Sequence, residues 1–131
     1  TIKKMERYDI PNVIHQRGQW LIDQFNHLID KHDLHDYFAI SGHPSWSFVH
    51  IKDGKNATAL QLKSLFIQKM IEKGILIMGS HNLSYSHKQE DLAALVLIYD
   101  EVLPALKEID TQNSFDSEFN GELIKAVFKV R

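Results

Sequence analysis

Cysteine is absent from the 131 residues. That excludes disulfides, thiolate metal sites and thiol nucleophiles together, and it is compatible with a cytoplasmic protein. No basic run exceeds two residues, and the net charge is -2. The electrostatic footprint of a nucleic-acid or anionic-membrane binder is therefore missing. No apolar run approaches the length of a membrane span. The opening Thr1-Ile2-Lys3-Lys4-Met5-Glu6-Arg7 lacks the apolar centre of a secretory leader. The start on Thr hints at an excised piece, and removal of a tag explains it equally well.

What is present suits one domain of ordinary size. With 44% hydrophobic and 24% charged residues, the chain can bury a core and keep a soluble surface. Pro11 suits a first helical turn. From there Ile14, Gly18, Leu21, Phe25 and Leu28 recur on one helical face. Gly18 on that face permits close packing. His32, Asp33 and His35 mark a frayed end. Residues 37–41 and 46–51 predict two strands, joined by the turn chemistry of Gly42-His43-Pro44-Ser45. Residues 58–73 predict a second helix, with Leu62, Leu65, Phe66 and Met70 inward and Gly74 as its stop. Residues 75–78 form a continuous apolar run that predicts a strand buried on both faces.

A third helix follows. Ser86 is its expected N-cap, with Gln89 as capping-box partner. Leu92, Leu95, Val96, Tyr99, Val102, Leu103 and Leu106 share a face, and Pro104 predicts a kink or local break. Residues 110–120 read as a polar loop. Residues 123–130 read as a last strand or a short helix, and Val127-Phe128-Lys129-Val130 leans to strand. The order predicts an α+β fold: a small, mostly antiparallel sheet covered on one face by about three helices.

Eight histidines invite a metal site, with His32 three residues before His35 and with His81 and His87 flanking one loop. No His-Glu-x-x-His pattern supports it, so no metal is expected. Ser84 or Ser86 beside His81 or His87 could be drawn as a hydrolytic dyad, but no Gly-x-Ser-x-Gly elbow is present. No catalytic residue is assigned. The glycines form no phosphate cradle; each suits a turn or cap.

The stretch Gly79-Ser80-His81-Asn82-Leu83-Ser84 concentrates polar groups between apolar segments. Read from its residues alone, it is better explained by a plain strand-to-helix connection than by a ligand-facing loop.

Several segments together resemble another kind of protein. The Ile10-Pro11 step opens a long helix. Leu65-Phe66-Ile67-Gln68-Lys69-Met70-Ile71-Glu72-Lys73-Gly74-Ile75-Leu76 forms a helix-to-strand block. Ser86-His87-Lys88-Gln89-Glu90-Asp91-Leu92 starts a helix, and Ala126-Val127-Phe128-Lys129-Val130-Arg131 ends the chain. In this order they resemble the C-terminal small domain of class III pyridoxal-phosphate (PLP) aminotransferases, the family that includes glutamate-1-semialdehyde aminomutase. The resemblance covers most of the chain.

It implies a single domain, residues 1–131, of a larger cytoplasmic homodimeric enzyme. A large domain absent here would hold PLP as a lysine imine, and this domain would close the substrate cleft. It implies Ser80, His81 and Asn82 as contacts to a small-molecule substrate. The loop lacks the Glu of aminomutases and looks more like relatives in surface-polysaccharide or nucleotide-sugar pathways. Asp100-Glu101-Val102 matches a tripeptide of the family's large domain, but its helical setting marks a coincidence. The alternatives are a free-standing small-molecule binding module of the same fold and a purely structural or dimerisation domain.

Overall fold

The computed structural model describes residues 9–121. Among them the order is α1 (Ile10–Lys31), β1 (Phe38–His43), β2 (Trp46–Ile51), α2 (Ala59–Glu72), β3 (Ser80–Asn82), α3 (Gln89–Thr111) and the short α4 (Phe115–Glu118). The fold is α+β, with one antiparallel sheet in the order β1-β2-β3. The expected tail strand at 123–130 lies outside the described residues.

The helix α1 carries Pro11 in its first turn and buries Gly18, Leu21, Phe25 and Leu28, while Ile14 stays half-buried. Gly18 meets the β1–β2 hairpin, where a Cβ would collide with the Pro44 carbonyl. The end of α1 is pinned, not frayed. Asp33 takes a left-handed conformation (φ 53°), Leu34 donates back to the Ile29 carbonyl at 2.9 Å, and Leu34 is fully buried. His32 and Lys31 reach Asp100 of α3 at 2.6 and 3.1 Å.

Thr58 caps α2: its hydroxyl accepts from the Gln61 N–H, and the Gln61 side chain accepts from the Thr58 N–H. Gly74, at φ 84°, ends it. The Gly74 N–H bonds the Ile71 carbonyl and the Ile75 N–H bonds Met70, which closes a Schellman turn.

Further expectations change. Residues 75–78 are not a strand. Only Ile77 is buried there, Leu76 and Met78 are 81% and 63% exposed, and the strand forms later, at Ser80–Asn82. The cap of α3 is not Ser86. The helix starts after Lys88, whose N–H donates to the Asp91 carboxylate at 2.9 Å, while Ser86 bonds the Ser84 hydroxyl. An acidic side chain at the third helical position captures an orphan N–H and favours the positive helix end. Residues 110–120 are not simply a polar loop. The helix α3 extends through Thr111, Asp110 is 1% exposed, and α4 buries Phe115. Pro104 lies inside an unbroken α3; it withholds one hydrogen bond from Asp100 without ending the helix.

Phe25, Phe38, Leu62, Leu65, Phe66, Met70, Tyr99, Leu103 and Leu106 lie in one core between the helices and the inner sheet face. Strand alternation sorts the sheet. Phe38, Ser47 and Val49 point inward, and Trp46, Phe48 and His50 point out.

Candidate functional site

Strand β3 pairs with β2 so that Asn82 lies opposite Trp46, His81 opposite Ser47 and Ser80 opposite Phe48. Val49 donates to the Gly79 carbonyl and Leu83 to the Ser45 carbonyl. In an antiparallel ladder this alternation turns the backbone groups of Ser80 and Asn82 toward the free edge of β3.

The three residues assigned from the sequence therefore sit together but do different things. His81 points into the core and is 5% exposed. Its Nδ1 lies 2.9 Å from the Ser47 hydroxyl and its Nε2 lies 2.6 Å from the Tyr99 hydroxyl. Both ring nitrogens are thus held inside the protein. Burial pushes its pKa down to about 4, so the ring is neutral at physiological pH. Burial also raises the Tyr99 hydroxyl above its ordinary value. The Tyr99 ring packs edge-on against Phe25 and His81. Ser80 and Asn82 point the other way, and among the described residues no hydrogen bond holds either side chain.

Beside the free edge of β3 lies a cavity of about 300 Å³. Ile77, Leu92 and Leu95 give it apolar walls, while Ser80, Asn82, His87 and Asp91 supply polar groups. A few polar groups against apolar walls are the usual make-up of a small-molecule site. Neither lysine nor arginine is among its lining residues.

The loop after β3 is fixed from α1. Arg17 Nη1 donates to the His87 carbonyl at 2.9 Å and to the Tyr85 carbonyl at 3.2 Å, and its guanidinium lies over the Tyr85 ring. His87 Nδ1 accepts the Ser84 N–H at 2.9 Å. This turn accounts for the Ser–His proximity drawn from the sequence. Among the described residues no group of three or more His, Cys, Asp or Glu is placed to hold a metal. None of their helices is long and apolar enough to cross a membrane.

Sequence reasoning overlooked Arg17, Ser47 and the polar role of Tyr99. Two signals were available. A buried tyrosine on a helix stripe needs a partner for its hydroxyl, and Ser47 shares strand parity with the inward Val49.

No protein-family model, curated protein or solved structure matches the chain.

Proposed function

We propose that this chain is the cleft-closing C-terminal domain of a PLP-dependent class III aminotransferase-like enzyme. One observation carries the reading. The segment that bears the resemblance, Ser80-His81-Asn82, is anchored through His81 and leaves the Ser80 and Asn82 side chains open beside a cavity. A rigid strand that presents two polar side chains is how a substrate wall is pre-organised.

In this reading the Ser80 hydroxyl and the Asn82 amide hydrogen-bond the substrate, and His81 forms part of the wall and fixes the strand. Ile77, Leu92 and Leu95 exclude water from the substrate's apolar portion. PLP itself does not fit this cavity, whose lining offers neither an amine for the aldehyde nor a cation for the phosphate. The cofactor belongs to the large domain of the same polypeptide, in a cytoplasmic homodimer. The parent moves an amino group between an amino acid and a carbonyl compound, or within one substrate.

The test is kinetic. In the polypeptide that carries this chain, Ser80→Ala and Asn82→Ala should raise KM for the substrate with little change in cofactor affinity. Unchanged kinetics in both variants would refute the substrate-wall role.

A second reading is a free-standing binding module. It is favoured by the cavity beside β3, which already joins apolar walls to Ser80, Asn82, His87 and Asp91. It predicts small-molecule binding by the 131 residues alone.

A further inference from the structure

The cavity beside the free edge of β3 carries charge of one sign. Asp91 is the only carboxylate among its lining residues, and no lysine or arginine joins it. Lys88 donates its backbone N–H to Asp91 Oδ2 at 2.9 Å, and among the described residues no cation pairs with this carboxylate. The positive end of α3, which would otherwise attract an anion, is already met by Glu90 and Asp91 in its first turn. Arg17 is committed to the Tyr85 and His87 carbonyls, and with Lys88 it lines a separate depression.

The other polar groups of the cavity suit uncharged partners. His87 Nδ1 accepts the Ser84 N–H at 2.9 Å, so the neutral ring carries its proton on Nε2 and donates from there. The free edge of β3 adds the backbone N–H and C=O groups of Ser80 and Asn82. An anion brought in here meets a carboxylate and no counter-charge. A cation meets a carboxylate with an oxygen to spare.

We infer that the ligand portion held in this cavity bears a primary ammonium on a small apolar body, and neither a carboxylate nor a phosphate. Asp91 pairs with the ammonium. Ile77, Leu92 and Leu95 take the carbon body. His87 Nε2 donates to a hydroxyl or carbonyl on the same ligand. The inference rests on the reading of this cavity as a ligand site and adds the charge that the ligand carries. Neither Asp91 nor His87 belongs to the segment assigned from the resemblance.

Amide proton–nitrogen shifts of the 131-residue chain, titrated with n-butylammonium, n-butanol and butyrate, test it. The three probes share a carbon body and differ in the charge of the head. Saturable shifts are expected at Ser80, Asn82 and Leu92, tightest for the ammonium and about tenfold or more weaker for butyrate. Asp91→Asn keeps an oxygen for the Lys88 N–H but loses the charge, and should bring butylammonium down to the affinity of butanol. Glu90→Gln, in the same helical turn but outside the cavity lining, should leave the order unchanged. Butyrate as tight as butylammonium, or an ammonium preference that survives Asp91→Asn, overturns the inference, as does a lack of saturable binding by all three probes. A preference lost in Glu90→Gln assigns it to the helix end and also overturns it. The aminotransferase reading is judged separately, by the lysine adduct of the full polypeptide: the ammonium preference without such an adduct upholds the inference and removes the enzyme reading.

Discussion

The Tyr37 hydroxyl donates to the Asp110 carboxylate across 2.6 Å, joining the start of β1 to the last turn of α3. The same carboxylate accepts the backbone N–H groups of Lys55, Asn56 and Ala57 at 2.7 to 2.9 Å. Asn56 returns a bond to the Asp110 carbonyl at 2.7 Å. One buried acid thus organises the connection between β2 and α2. A Cβ at Gly54 would run into this carboxylate.

Asp110→Ala should therefore destabilise the fold by about 3 kcal/mol or more, because several donors lose their acceptor and each buried unsatisfied group costs about 1–3 kcal/mol. Urea unfolding at neutral pH measures it. Asp110→Asn should cost less, since its amide oxygen still accepts. Equal stability of Asp110→Ala and the parent sequence would refute the clamp.

The clamp also has a pH signature. Burial works to raise the Asp110 pKa, but the bonds from Tyr37 and from the Asn56, Ala57 and Lys55 N–H groups hold it below its ordinary value. A depressed carboxylate stabilises the fold above its unfolded pKa of about 3.9 and loses that contribution as pH falls through the folded value. Tyr37 is pushed up to about 12, first by burial and then by Asp110. Its contribution is complete below the unfolded pKa of about 10 and is lost as pH rises from there toward 12. Absorbance titration of the phenols should show Tyr37 ionising late.

His81 gives a separate acid-side effect. Its folded pKa of about 4 lies below the unfolded value of about 6.5, so between them the unfolded chain binds a proton that the native state refuses. Stability should fall by roughly 3 kcal/mol as pH drops across that interval, and stay level above it. Proton NMR of the imidazole checks the cause: the His81 ring should not titrate above pH of about 5. A midpoint near 6.5 would contradict the buried Ser47–His81–Tyr99 chain.

Gly18→Ala tests the contact between α1 and the hairpin. Helix propensity alone predicts a gain of roughly 1 kcal/mol. The collision with the Pro44 carbonyl predicts the opposite sign, a loss of about 1–3 kcal/mol, from the overpacking it forces. Thermal unfolding decides between them.

Asp100→Asn separates a structural acid from a cofactor acid. Hydrogen bonds from His32 and Lys31 hold the Asp100 pKa low, yet its side chain is 34% exposed. Water screens such a pair, so the loss should stay within about 1 kcal/mol. Glu101 likewise has its own partner, Lys73, at 2.9 Å. On the proposed reading, turnover of the full polypeptide should survive the Asp100 substitution.

The helices were legible because apolar residues repeat at 3.6-residue spacing. Leu62, Leu65, Phe66 and Met70 are all fully buried, as that spacing predicts. β2 was legible to its end residues. β3 was not, because Ser80-His81-Asn82 is polar by composition and is a strand only through pairing with β2. The apolar Ile75 and Met78 drew the expected strand upstream. In the sequence Asp110 reads as loop because Ser, Asp, Asn and Gln dominate residues 110–120. Its burial follows from the loop at 54–57, which folds back over it and is remote in sequence. Of the site, the sequence marked the segment, while the inward turn of His81 required the register.

The most direct test is to incubate the full polypeptide with PLP, reduce it with borohydride and map the adduct by mass spectrometry. The account predicts one stoichiometric lysine adduct, located outside these 131 residues. A single saturable adduct on a lysine within them, or no adduct at all, would contradict it.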